Sequence, residues 1–313
     1  MRYPRFDVLQ TQGISFERIG YSTSPLAVAQ DALGNIYAAD NLSRVLIHFP
    51  RMSASNTANG LEQSAPNTYT SIYTTFDLPD VSTQVFDSLP MPTTLGDLQV
   101  LVNQRPVPIH FISPRQINFL MPGSAPEEGA VDVWVMRAST RQILAAGTLR
   151  MDVVSPGLLY TDRFVVGNNT LFQVAALNVD AQENRTLNWR STGRVGDFEA
   201  RPARVGEVVE IFATGFGRRV PGAPPDGQPA PGPLPTDVKP RVFLNSRWLD
   251  DADILYSGLA PDLINVWQIN IRIPDFVPPG NNLILVSFYD RDSRRSGSPD
   301  NPQRLNTTIA IQR

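Results

Sequence analysis

The chain has 313 residues, a formal net charge of −3 and a hydrophobic share of 42%, enough for two or three domains that each bury a core. Without a basic excess, nucleic acid is not an expected partner. The chain has no cysteine, which excludes disulfides, thiolate metal sites and cysteine nucleophiles. No apolar run approaches the roughly 20 residues of a membrane helix, so no membrane span is expected.

Residues 1–50 are expected to form one small β unit. Apolar runs at 24–31, 36–40 and 44–49, separated by turn signals such as Gly34-Asn35, predict three short strands. A three-stranded sheet of this kind would leave two edge strands open, and an open edge can pair with a strand of another chain.

The same runs resemble the NHL repeat, a blade unit of β-propellers. The residues that carry this resemblance are Pro25, Val28, Asp31, Gly34-Asn35, Ile36-Tyr37, Asp40 and Arg44-Val45.

Residues 51–82 are rich in Ser, Thr, Asn and Ala. This composition predicts a linker, with one strand at about 71–76.

One pattern of short apolar runs, turns and a final alternating tail occurs twice in the rest of the chain. The first copy comprises Val100 to Asn103, Ile109 to Phe111, Gln116 to Phe119, Pro122, Gly129, Val131, Val133 and Val135. The second copy comprises Val242 to Asn245, Ile254 to Tyr256, Gln268 to Ile271, Pro274, Gly280, Leu283 and Leu285. Period-two apolar residues indicate strands. The fold class is therefore predicted to be all-β, with two tandem immunoglobulin-like sandwiches at 83–156 and 157–313.

The second predicted sandwich has additional features. Strands are expected at 172–177, 208–213 and 307–312. The segment 221–240 is dense in proline and glycine, which favours an extended, polyproline-like surface loop. A polar excursion is expected at 290–303.

The region from about Leu89 to the C-terminus resembles the Solibacter-type uncharacterised C-terminal domain family. The motifs that carry the resemblance include Pro92 to Gly96, Ser113-Pro114, Gln116 to Phe119, Ser155 to Leu158, Val209 to Gly217, Pro225 to Gly227, Tyr256 to Pro261, Gln268 to Pro274 and Pro278 to Gly280. The resemblance implies a secreted or cell-surface bacterial protein that often carries NHL repeats or other extracellular modules. It implies no catalytic residues, because the family has no established activity.

The sequence offers no convincing catalytic or metal constellation. Its two histidines, His48 and His110, lie in predicted strands, and a hydrolase that pairs His110 with a carboxylate is the least favoured reading. The glycines of 214–219 are not followed by a helix that would bind phosphate, so they are expected to let the chain turn. Acidic residues at 250–253 and 290–292 lack the spacing of a calcium loop. No catalytic residue, metal site or cofactor is predicted.

Two groups of side chains are candidates for binding. The amides of Gln116 and Asn118, and of Gln268 and Asn270, recur at equivalent places in the two copies. They would either bind a sugar or, as recurrence favours, satisfy backbone groups. Trp248 and Trp267 are possible aromatic contacts, although core packing is the commoner role of tryptophan.

The sequence as a whole favours a non-enzymatic, exported structural or adhesion protein. We expect an extracellular or cell-surface location, although no signal peptide is visible between Met1 and Gly20. Self-assembly by pairing of sheet edges is the leading expectation. A carbohydrate- or ligand-binding module of a larger extracellular protein is the alternative.

Overall fold

A computed structural model describes residues 52–294 and 306–313, together with the backbone of three strands before them. The described chain is all-β and contains only one short 3-10 turn, Asp251–Asp253, besides its strands and loops. Among these residues we find no helix with the length and apolar character that crossing a membrane requires.

The three N-terminal strands form an antiparallel sheet of their own, in the order β1-β2-β3. They are β1 (Ala27–Gln30), β2 (Ile36–Ala39) and β3 (Val45–His48). The three predicted strands are therefore present. The NHL resemblance of this unit stays a prediction, and the rest of residues 1–51 lies outside the described residues.

Module 1, residues 52–152, consists of two five-stranded sheets. Its strands are β4 (Met52–Asn56), β5 (Gln63–Ser64), β6 (Tyr69–Thr74), β7 (Gln84–Val85), β8 (Leu98–Val102), β9 (Arg105–Val107), β10 (Ile109–Ile112), β11 (Gln116–Leu120), β12 (Ala130–Arg137) and β13 (Ile143–Met151). The sheet orders are β4-β6-β11-β10-β7 and β5-β13-β12-β8-β9. Buried side chains of both sheets belong to one hydrophobic cluster, which includes Ile72, Val100, Ile117, Val133 and Leu144.

Module 2 comprises the described residues from Val153 onward. Its strands are β14 (Gly157–Leu158), β15 (Tyr160–Val166), β16 (Asn169–Val174), β17 (Ala176–Val179), β18 (Arg185–Asn188), β19 (Gly193–Val195), β20 (Phe198–Arg201), β21 (Ala203–Arg204), β22 (Val208–Thr214), β23 (Leu234–Pro235), β24 (Arg241–Leu244), β25 (Arg247–Trp248), β26 (Ile254–Leu259), β27 (Trp267–Arg272), β28 (Gly280–Phe288), β29 (Arg291–Asp292) and β30 (Thr307–Gln312).

These strands form a nine-stranded and an eight-stranded sheet. The nine-stranded sheet has the order β19-β20-β18-β17-β22-β27-β26-β23, with β14 added to β22. The eight-stranded sheet has the order β15-β16-β30-β28-β24-β25, with β21 added to β30 and β29 to β28. Both sheets contribute to a second hydrophobic cluster that contains Val209, Val242, Trp267, Ile284 and Ile309.

Module 2 contains a complete copy of the strand pairing of module 1. The order β17-β22-β27-β26-β23 repeats β4-β6-β11-β10-β7, and β21-β30-β28-β24-β25 repeats β5-β13-β12-β8-β9. The parallel pairs recur too, since β5 lies parallel to β13 and β21 lies parallel to β30. Even the irregularities agree, because the register shifts after Ile109 in β10 and after Ile254 in β26. The repeat seen in the sequence is therefore the central part of a larger duplicated unit.

The predicted linker at 51–82 is wrong for most of its length. Residues 52–74 contain β4, β5 and β6, which are paired strands in both sheets of module 1. The strand expected at about 71–76 is present as β6, shifted by two residues. The boundary between the predicted sandwiches also moves, because Val154 already packs in the core of module 2.

Two further expectations need correction. Leu283 and Leu285 are half-buried, whereas Ile284 and Val286 of the same strand are fully buried in the core. The repeat identified in the sequence therefore included the residues on the wrong face of β28. The segment 221–240 is not merely a surface loop, because its Ala230 is buried in the core of module 2. The strands expected at 208–213 and 307–312 are present as β22 and β30.

Candidate functional site at the junction between the modules

The predicted amides occupy equivalent positions and make the same bond in both modules. Gln116 and Asn118 lie on β11, and Gln268 and Asn270 lie on β27, its counterpart. In each pair the glutamine Nε2 donates to the asparagine Oδ1 at 2.9 Å. In module 1 the Ser71 hydroxyl also donates to Asn118 Oδ1, at 2.8 Å. In each pair the two side chains bond to each other on one strand, and both the structural role and sugar binding stay predictions.

The two candidate tryptophans lie in different environments. Trp267 is fully buried, packs on Phe288 and donates its indole N–H to Ser257 Oγ at 2.9 Å. It is therefore a core residue and not a surface contact. Trp248 lies on the edge strand β25 and is 39% exposed. The Arg241 guanidinium covers its ring at 4.2 Å from the centroid, so part of this aromatic surface is already occupied.

His110 belongs to an aromatic cluster between the modules. Its ring lies 5.7 Å from the Tyr69 ring and 5.4 Å from the Phe86 ring, centroid to centroid. The Tyr69 hydroxyl donates to the Ile264 carbonyl of module 2 at 2.7 Å. Burial lowers the pKa of His110 and raises the pKa of Tyr69, since both charged forms lose solvation. The cluster joins the modules through apolar contacts and one buried hydrogen bond. His48 lies outside the residues whose side chains are described.

Buried asparagines of module 1 bind the segment that connects it to module 2. Asn56 is fully buried, and its Nδ2 donates to the Ser155 carbonyl at 2.7 Å. Asn59 Nδ2 donates to the Pro156 carbonyl at 2.9 Å. These amides replace the water that the carbonyls of a free linker would bind. The connection therefore cannot swing without leaving buried polar groups unpaired, at a cost of about 1–3 kcal/mol each.

Asn67 makes a second bridge to the body of module 2. Its Nδ2 donates to the Gly217 carbonyl at 2.9 Å, and its Oδ1 accepts from Asn265 Nδ2 at 3.1 Å. A third hydrogen bond runs from the backbone N–H of Tyr69 to Thr214 Oγ1, at 3.0 Å. Asn67, Asn265 and Thr214 are all buried. This continuous set of bonds fixes the start of β6 against the end of β22.

Glycine is required where β22 ends at the junction. Gly215 and Gly217 have φ of 88° and 67°, which favour glycine. A Cβ at Gly215 would overlap the carbonyl of Ser155, and one at Gly217 would overlap the carbonyl of Val153. The glycines of 214–219 thus let the chain turn, as predicted, and also bring it against the connecting segment.

Arginines bridge the rim of the junction. Arg291 Nε lies 2.7 Å from Asp152 Oδ2, whose side chain is only 10% exposed. Arg219 lies 2.7 Å from Glu127 of module 1, and Arg218 Nε donates to the Gly123 carbonyl at 2.7 Å. Such partly buried pairs contribute more than exposed ones because water screens them less.

The proline-rich segment also contacts module 1 at the junction. Asp226 Oδ1 accepts the Gly123 N–H at 3.0 Å, and the Gly227 carbonyl accepts the Met91 N–H at 2.8 Å. Met91 belongs to a small interfacial core with Leu120 and Ile264. This segment therefore acts as a strap from module 2 onto module 1, a role that its composition did not reveal.

The two acidic segments of the sequence lie at turns. Asp292 pairs with Arg294 at its own turn, and Asp251–Asp253 form the 3-10 turn before β26. Within residues 52–294 and 306–313 no three metal-ligating side chains come together.

A scan of protein-family models and searches of curated proteins and of solved structures found no match to this chain. The family resemblance drawn from its motifs stays a prediction.

Proposed function

We propose that this chain is a non-enzymatic structural protein of the bacterial cell exterior, in which two immunoglobulin-like sandwiches form one stiff unit. The observation that carries the proposal is the junction. Buried asparagines, clamped glycines, ion pairs and a proline-rich strap all connect the same two modules.

A stiff junction suits a structural subunit better than a flexible display module. Domain interfaces within a chain are by default small and polar, and they allow relative motion. Here the asparagine bridges are buried and the Arg291–Asp152 and Arg219–Glu127 pairs are partly buried, so bending would leave donors and acceptors unpaired. A stiff unit of this kind transmits force, or a fixed orientation, from one end to the other.

Assembly would proceed through the N-terminal sheet. Among the described residues, its outer strands β1 and β3 each pair on one side only, with β2. An open sheet edge can add a strand of a neighbouring subunit, and a head-to-tail contact that does not close gives a filament. The extracellular location follows from the family resemblance and from the absence of cysteine in the sequence.

Electron microscopy of the purified chain, with its mass in solution, tests this proposal. We expect ordered filaments from the full chain and none from a variant that lacks residues 1–50, whose modules should keep their β-sheet circular dichroism. Filaments from the deletion variant, or a full chain that stays monomeric under all assembly conditions, would contradict the proposal.

The second candidate is a carbohydrate- or ligand-binding module, and the exposed part of Trp248 favours it. A glycan that stacks on this ring would have to displace or share Arg241. Glycan-array binding that is lost in Trp248→Ala but kept in Trp189→Phe would support this candidate. A chain that binds no glycan would leave the structural role as the better account.

A further inference from the structure

We propose that β15 is a dimerisation edge, where two copies of this chain pair antiparallel through Asp162 to Val166 around a two-fold axis at Phe164. The inference deepens the proposed self-assembly and rests on it, but it uses a different edge from the N-terminal sheet.

β15 is the one long, unprotected edge strand among the sheets of the two modules as far as they are described. Natural proteins shorten exposed edges, place proline in them or cover them. The edges β5, β7, β19 and β25 have two or three residues, and β9 and β23 contain Pro106 and Pro235. The five-residue β4 lies against β13 of the opposite sheet. β15 has seven residues and no proline, and within the described part of the chain it pairs only with β16.

The side chains of β15 are unusually apolar for an exposed strand. Val165 is 67% exposed, Val166 50% and Tyr160 42%. Its acid, Asp162, is already paired with Arg190 at 2.7 Å, and the same guanidinium lies 4.1 Å from the centroid of Phe164. This combination fits another apolar β-strand better than it fits water.

The hairpin turn determines which backbone groups face outward. β15 and β16 are joined by a two-residue turn, with Gly167 at φ 59° and Val166 paired with Asn169. In such a hairpin the pair beside the turn and every second pair exchange hydrogen bonds. Val166 and Phe164 therefore bond to β16. Arg163 and Val165 direct their N–H and C=O groups away from the sheet.

A second copy can pair with this edge in several registers, and charge excludes two of them. A two-fold axis at Asp162 or Arg163 would place like charges directly opposite each other, which is destabilising. An axis at Phe164 places Arg163 opposite Val165 of the second copy, and Asp162 opposite its Val166. The four outward-facing residues then exchange four hydrogen bonds. The two Phe164 rings meet in a non-hydrogen-bonded pair, the closest pair of an antiparallel ladder.

Single-cysteine variants test this register directly, because the chain has no cysteine of its own. In Phe164→Cys the two Cα atoms would be about 4.5 Å apart, within disulfide reach. In Val165→Cys they would be diagonal neighbours about 7–8 Å apart, beyond that reach. We expect Phe164→Cys to form a disulfide-linked dimer on a denaturing gel, and Val165→Cys to form it at least about tenfold more slowly despite its greater exposure.

A proline variant tests the contact without cysteine. Val165→Pro removes an outward N–H and no bond to β16, so the hairpin should persist while the dimer is lost. Val165→Thr is the matched control and should keep the dimer. The measurement is the mass in solution, with circular dichroism to verify folding.

Three outcomes would overturn the proposal: equal crosslinking of both cysteine variants, a dimer that survives Val165→Pro, or a wild-type chain that is monomeric at about 0.1 mM. Filaments without Phe164→Cys crosslinks would overturn this inference alone. Crosslinked dimers that never form filaments would keep it and reject assembly through the N-terminal sheet.

Discussion

Module 1 and module 2 share a frame of ten strands but differ in what was added to it. Module 2 has seven additional strands, β14 to β16, β18 to β20 and β29, which extend both of its sheets beyond the shared frame. Of these, β16 and β18 are held by a buried amide network, in which Asn188 bonds to Gln173, to Asn178 and to the backbone of Ala310. The strand pairing of the duplicated frame is thus the same in both modules, although module 2 has gained new sheet edges.

One pair of equivalent positions shows how the junction arose on a common backbone. Asn67 precedes β6 and Gly206 precedes β22, the strands that pair with the amide strands β11 and β27. Both residues have a positive φ, 62° and 85°. The backbone at this position exchanges two hydrogen bonds with Met121 in module 1, and in the same way with Ile273 in module 2. Space is open around Gly206, whereas the Asn67 side chain reaches the neighbouring module. Asparagine tolerates this conformation and also supplies the bridge.

The strongest test of the proposed rigid unit is whether the two modules unfold independently. Ile117 and Ile269 are equivalent, and both are fully buried. Replacing either with alanine should cost about 2–5 kcal/mol of unfolding free energy. If the junction couples the modules, each variant shifts one common urea transition followed by tryptophan fluorescence. Two transitions, of which each variant moves only its own, would contradict the rigid unit.

A smaller effect is expected from the glycine that touches the connecting segment. Gly215→Ala should destabilise the protein by more than the about 1–3 kcal/mol of backbone strain alone, because the new methyl group also overlaps Ser155. Gly222 is the matched control, since it has φ of 73° but open space around it. Equal losses in the two alanine variants, measured by urea denaturation, would show that the close approach contributes nothing.

The smallest expected effect is a pH dependence that belongs to the junction. Burial lowers the pKa of His110 in the folded state, so the unfolded chain binds more protons. Stability should therefore fall as the pH drops from about 7 to 5.5, through the usual histidine pKa of about 6.5. His110→Phe should flatten this part of the profile. An unchanged slope in that variant would assign it to other groups.

Much of the fold could be predicted because its strands are short apolar runs separated by turn residues. The runs at 116–119, 208–213 and 268–271 are strands as expected. The phase of β28 was misjudged because both of its faces carry leucine or isoleucine, so period two alone gives two possible core faces.

The junction escaped prediction because its polar residues are typical of a linker. Asn56, Asn59 and Asn67 lie in the predicted linker, yet each is buried, and Asn56 bonds to a carbonyl about a hundred residues away. Composition reports average exposure and cannot show that a distant carbonyl needs a partner. For the amide pairs, recurrence in the two copies predicted a structural role, and the structure adds that the two amides of each pair bond to each other.

The position of β30 has a consequence for biosynthesis. Module 1 has all its strands once Met151 has been made, whereas β30 lies inside the eight-stranded sheet, between β28 on one side and β16 and β21 on the other. The large sheet of module 2 therefore cannot close until residues 307–312 are available. Because contacts this distant in sequence form slowly, a newly made chain passes through a stage with one finished module and one open sheet. At that stage the open sheet exposes the strand edges that β30 later covers.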